Sequence, residues 1–162
     1  MQEFMFGHYR LSVDVEATRA YYAAHPESWI TCECEGCRNF AAALGTLPRA
    51  VVDFFKAMGL DPAKPAELCY YQGTEQDLSG GGWYHLAGTV LEGSSQSGDC
   101  EVFPAGWYDL AEGFSVGFKN SCDLLPDDFP RPCFQMEFNH QMPWVLEVPN
   151  PYIYEWPSRE TT

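Results

Sequence analysis

Gly113-Phe-Ser-Val-Gly-Phe-Lys119 places Phe114, Val116 and Phe118 at every second position, with small or polar residues between them. Successive side chains of a strand point to opposite faces, so this stretch predicts a half-buried β-strand with one aromatic face. The next apolar stretch repeats the pattern, with Phe134, Met136 and Phe138 separated by Gln135 and Glu137. The connection between them, residues 120–132, is rich in Pro and Asp and too short for a crossover helix. That selects antiparallel pairing.

Working outward, Leu68–Gln72, Trp83–Leu91 and Trp144–Val148 read as further strands, joined through Gly-, Ser-, Pro- and Asp-bearing connections at 73–82, 92–99 and 149–152. Before Pro62 the period changes from 2 to 3.6. After a short apolar strand around Phe6 to Val13, Asp14 is a capping residue for a helix through Val15, Thr18, Tyr21 and Tyr22, which His25-Pro26 ends. Arg38 to Leu44 reads as a short helix stopped by Gly45. Thr46 then caps a clearer one, with Pro48 in its first turn, Val51, Phe54, Phe55 and Met58 as the buried stripe and Gly59 as its close. The expected fold class is α+β: one domain over residues 1–162, a mostly antiparallel sheet of about five strands, and two to three N-terminal helices packed on one face.

A chain of 162 residues with 46% hydrophobic and 15% aromatic content can bury a core of its own. Its longest apolar runs fall far short of the roughly 18 to 20 residues of a membrane span. Met1-Gln-Glu-Phe-Met-Phe-Gly-His8 has neither a basic region nor a clean apolar one, so no secretory signal is read and a cytoplasmic location is expected. Twenty-three acids against nine bases give a formal charge of −14, with no cluster of Lys or Arg. Nucleic acid and anionic membranes are therefore poor partners, and a protein partner with a basic surface is favoured.

The densest chemistry lies in Thr31-Cys-Glu-Cys-Glu-Gly-Cys-Arg-Asn-Phe40. Cys34-Glu-Gly-Cys37 has the spacing of a metal knuckle. Cys32, two residues before Cys34, points the same way in an extended segment, so three thiols can converge on one soft ion, structural zinc above all. A closed zinc site needs a fourth ligand. His25 is the nearest in sequence, and Cys69, Cys100, Cys122, Cys133 and the other histidines are further candidates. Seven cysteines are an odd number, and Cys69, in Glu-Leu-Cys-Tyr-Tyr, reads as a small buried hydrophobe. Glu33 and Glu35 flank the thiols and should raise their pKa values, an argument for metal and against a reactive nucleophile.

Other constellations carry less. Gly80-Gly81-Gly82 precedes a strand with no Lys-Ser or Lys-Thr after it, so it is not a phosphate loop, and neither G-x-S-x-G nor H-E-x-x-H occurs. His85 and Trp83 share one strand face. His140 is expected at a solvated turn, and Pro149 to Pro157 as an extended arm. No catalytic constellation emerges. The favoured function is an interaction module carrying a structural metal. The alternatives are a thiol-redox or metal-assisted hydrolytic enzyme, and a carbohydrate or small-ligand site lined by Trp83, Trp107 or Trp144.

Overall fold

The computed structural model describes residues 1–93 and 106–154. The chain opens with a hairpin, β1 (Gln2–Phe6) and β2 (Tyr9–Val13), in place of the single strand expected at residues 6–13. The reversal falls at Gly7-His8, where Gly7 adopts a φ of 59° that a side chain would resist. Helix α1 (Val15–Ala23) follows, with Asp14 accepting from the Ala17 N–H at 3.0 Å. Helix α2 (Glu35–Ala43) continues into a 3₁₀ turn (Leu44–Thr46), and α3 (Arg49–Met58) completes the helical part. The cap of α3 is Pro48, not Thr46, whose hydroxyl instead donates to the Ala43 carbonyl within the 3₁₀ turn. Gly59 ends α3 in the left-handed region, at a φ of 77°.

Five more strands follow: β3 (Glu67–Gly73), β4 (Asp77–Glu92), β5 (Tyr108–Ala111), β6 (Phe114–Lys119) and β7 (Cys133–Pro143). All pairings are antiparallel, in the order β1-β2-β4-β7-β6-β5, with β3 also on β4. The domain is thus α+β, with a seven-stranded sheet.

The triple glycine expected in a loop lies inside β4. A Cβ on Gly82 would strike the Glu67 carbonyl, and one on Gly81 would lie 2.5 Å from the Phe138 carbonyl, so glycine lets β3 and β7 close on this strand. Residues 144–148 do not form the strand their alternation predicts. Pro143 lacks an N–H and ends the β7 ladder, and the Trp144 indole donates to the Val148 carbonyl at 2.7 Å in an irregular turn.

The long strand β4 organises the sheet. Its first half pairs with β3 and its last residues with β2, leaving His85 and Ala87 between them without a strand partner on that edge. Helix α1 fills the gap. The Tyr22 hydroxyl donates to the His85 carbonyl at 2.8 Å and accepts from the His85 N–H at 3.3 Å. The Thr18 hydroxyl accepts from the Ala87 N–H at 3.0 Å, and the Ala87 carbonyl accepts from the Asp14 N–H. Buried backbone groups need such partners, so two hydroxyls here replace a strand.

One sheet face, with Tyr84, Phe114, Val116, Phe118, Phe134, Met136 and Phe138, is buried under α2 and α3. Phe55 of α3 meets Tyr84 edge-on at 5.1 Å, and Phe40 of α2 lies 6.1 Å from Phe138. The opposite face is polar but not open. Lys119 is 2% exposed and holds Asp123 at 2.9 Å and Glu137 at 3.1 Å, while the Gln135 amide donates to Glu137. The Asp123 carbonyl takes both the Trp83 indole N–H (3.1 Å) and His85 Nε2 (2.9 Å). Among the described residues no helix is long and apolar enough to cross a membrane.

Candidate metal centre

Helix α2 starts earlier than its apolar stripe suggests, and the start is made of sulfur. Cys34 is the N-cap, in extended backbone conformation, and its Sγ accepts from the Cys37 N–H at 3.4 Å. An N-cap commonly uses a side-chain oxygen to satisfy a free N–H of the first turn; here a thiol takes that place. Cys37 falls in the first turn, 6% exposed, while Cys32 approaches from the preceding segment and is exposed. The three Sγ atoms lie within 4.8 Å of one another.

Two tyrosines from distant segments close over this turn. The Tyr70 hydroxyl of β3 donates to Cys37 Sγ at 3.2 Å. The Tyr152 hydroxyl accepts from the Gly36 N–H at 3.2 Å. Tyr152 arrives through the irregular segment after β7, which is fixed where the Asn150 amide donates to the Thr74 and Asp77 carbonyls and the Gly73 N–H donates to the Tyr152 carbonyl. Gly36 is required by this approach, not by the turn: a Cβ there would sit 2.5 Å from the Tyr70 ring and 2.9 Å from the Tyr152 hydroxyl.

The electrostatics depart from the sequence expectation. Burial opposes ionisation of Cys34, yet the Cys37 N–H and hydrogen bonds with the Cys32 and Cys37 thiols and the Tyr152 hydroxyl outweigh it and hold its pKa below the ordinary thiol value. Glu33 and Glu35 are exposed, so water screens the charges that were expected to dominate. Cys37 behaves oppositely. Its burial pushes the thiol up to about 12, against the Tyr70 hydroxyl, which favours the thiolate. Hydrogen-bond donors at the helix start thus favour the Cys34 thiolate, while burial disfavours that of Cys37.

His25 is not among the residues the fold brings together here. Its ring lies 4.8 Å from Tyr21 and 5.8 Å from Trp29, and its Nδ1 faces Glu27 at 3.7 Å. Cys69 is half-buried, with its Sγ 3.5 Å from the Tyr71 hydroxyl. Cys122 and Cys133 stand together at the β6–β7 connection, and Cys100 lies outside the described residues. The carboxylate-bearing neighbour that sequence reasoning missed is Glu67. With Trp29, Pro65, Leu68, Cys32 and Cys37 it lines a cavity of about 200 Å³ beside the cluster. Only the pairing of β3 with β4 brings it there, and no local spacing announces that.

Two other expectations change. His140 is not at a solvated turn but inside β7, 5% exposed, between Phe40 and Tyr70. Trp83, Trp107 and Trp144 stand on separate segments, and the indole N–H groups of Trp83 and Trp144 are spent on backbone carbonyls.

No family model, curated protein or solved structure matches this chain. The reading of the site therefore rests on its own geometry.

Proposed function

We propose that the chain is a small acidic interaction domain whose Cys32, Cys34 and Cys37 hold a soft divalent ion, zinc foremost, as a structural pin. The observation that carries this is the convergence of three sulfurs within 4.8 Å at the start of α2. Zinc–sulfur bonds of about 2.3 Å in tetrahedral geometry separate the sulfurs by roughly 3.8 Å, so side-chain rotation alone would bring the three to one ion. Such an ion would tie the segment before α2, the helix itself and, through Tyr70, strand β3. The three sulfurs would leave the fourth position to water or to a donor from outside the cluster.

The test is elemental analysis of protein purified without chelators or added metal, with Cys34→Ser as comparison. One zinc per chain, lost in the variant, supports the proposal. A metal-free chain with all seven thiols titrating freely overturns it.

For the partner, the charge of −14 and a hollow of about 420 Å³ with both polar and apolar walls favour a basic segment with an apolar anchor. Trp144, Leu146, Val148 and Ile153 line the hollow, flanked by Glu75 and Glu147. A Lys/Leu model peptide should bind with an affinity that falls as salt rises and in Glu75→Gln/Glu147→Gln; binding indifferent to both counts against this surface.

A second reading has one specific observation behind it. An N-cap thiol beside a buried one is also the arrangement that suits thiol–disulfide exchange. If the chain is metal-free and Cys34–Cys37 oxidises reversibly, that reading replaces the first.

A further inference from the structure

Outside the metal centre, Cys122 Sγ and Cys133 Sγ lie 3.9 Å apart. Neither sulfur is there by the accident of a loose loop, because both flanks of each are anchored. Before Cys122, the Asn120 side chain donates to the Val90 carbonyl and accepts from the Val90 N–H, both at 2.9 Å. After it, the Asp123 N–H donates to the Gln135 side chain at 2.7 Å, and the Asp123 carbonyl holds Trp83 and His85. Cys133 begins β7 opposite Ala87, between Pro132, whose carbonyl accepts from the Gly88 N–H at 2.8 Å, and fully buried Phe134. The connection between them carries Phe129, packed on Tyr21 at 4.6 Å and on His85 at 5.8 Å.

We propose that Cys122 and Cys133 are a redox modification site: a dithiol that closes reversibly to an intramolecular disulfide by exchange with a small disulfide such as oxidised glutathione. A disulfide bond is about 2.05 Å long, so the sulfurs must approach by roughly 2 Å, a displacement that side-chain rotation supplies. Both thiols are only partly buried, so a small disulfide can reach them. The Cys133 thiolate attacks one sulfur of the external disulfide; that S–S bond breaks, and the leaving thiolate takes up a proton. Cys122 then releases its proton to water and attacks Cys133 Sγ, forming the internal bond and expelling the second thiol. Two protein thiols are oxidised and one external disulfide is reduced to two thiols. Burial and the adjacent Cys133 sulfur push the Cys122 thiol up to about 12, which suits it to the second, intramolecular step. Closure fastens the segment carrying Phe129 against α1 and constrains the unfolded chain more than the folded one.

The full chain, equilibrated in glutathione buffers of graded ratio, alkylated and digested with trypsin, tests this directly. Arg131 precedes a proline and resists cleavage, so Cys122 and Cys133 share the peptide Asn120–Arg159, which contains no other cysteine. The expected oxidised product is that peptide without alkyl groups and lighter by two hydrogens than its reduced form. It should appear at a ratio roughly tenfold or more less oxidising in native buffer than in urea, because the fold holds the sulfurs together. Oxidation should also raise the thermal midpoint of the wild type and leave that of Cys122→Ser unchanged. Persistent alkylation of both thiols, separate glutathione adducts on each, linkage to another cysteine, or an identical midpoint ratio in urea would each overturn the proposal.

Discussion

The Tyr70 hydroxyl donates to Cys37 Sγ across 3.2 Å, so a residue of strand β3 completes the first turn of helix α2. This bond couples the candidate metal centre to the sheet, and it gives the tyrosine a role separable from its ring. Tyr70→Phe keeps the ring and removes the donor. A lost partner beside a ligating atom typically weakens metal binding by about tenfold or more, so zinc affinity should fall by roughly that factor with the fold retained. Competition with a chromophoric chelator measures it; unchanged affinity would mean that the bond does not act on the cluster.

Gly36→Ala separates two opposing effects. Alanine is favoured over glycine in a helix by up to about 1 kcal/mol. The added methyl, however, meets the Tyr70 ring at 2.5 Å and the Tyr152 hydroxyl at 2.9 Å. Overpacking of this kind costs about 1–3 kcal/mol, so the variant should be net destabilised. Urea unfolding decides the sign, and a stabilised variant would show that the two tyrosines move aside freely.

Tyr22→Phe addresses the gap in the sheet. The hydroxyl satisfies both the N–H and the carbonyl of His85, on a stretch of β4 that neither β2 nor β3 reaches. Removing it leaves two buried backbone groups unpaired, at a cost of about 2–3 kcal/mol in chemical denaturation. Thr18→Val, which orphans only the Ala87 N–H, should cost about half as much. Equal effects would argue that the hydroxyls do not substitute for a strand.

What the sequence made legible was set by local periodicity. Phe114, Val116 and Phe118 lie on the apolar face under the helices because every second side chain of a strand points the same way. Asp14 and Gly59 end their helices for reasons contained within four residues. The losses came from partners distant in sequence. Gly80 to Gly82 look like a loop until Glu67 and Phe138 are seen to need their missing side chains. Against burial, the Cys34 thiolate is favoured first by the Cys37 N–H, which a helix start at Glu35 supplies, then by the Cys32 and Cys37 thiols and last by Tyr152, more than a hundred residues away, whereas Glu33 and Glu35 are adjacent in sequence but exposed. Cys32, Cys34 and Cys37 converge as their spacing predicts, while His25, just past the end of α1, packs on Tyr21 and Trp29.

His140 continues the alternation of Phe134, Met136 and Phe138, and it pays for that position in protonation. Its ring lies over Gly80 against Phe40 and Phe138, with only the Leu78 backbone nearby to favour the protonated ring. Desolvation lowers its pKa from 6.5 to about 4. The unfolded chain therefore binds a proton between these values that the folded chain refuses. Stability is full above pH 6.5 and is lost progressively as pH falls toward 4, by about 2 kcal/mol at about pH 5 from this residue alone. His140→Met, similar in size and without a titrating group, should flatten that part of the profile. A residual slope of the same sign should remain, because burial also lowers the pKa of His85. Urea midpoints measured from near-neutral to mildly acidic pH give the comparison. A variant as acid-sensitive as the wild type would show that His140 does not carry the acid-linked loss.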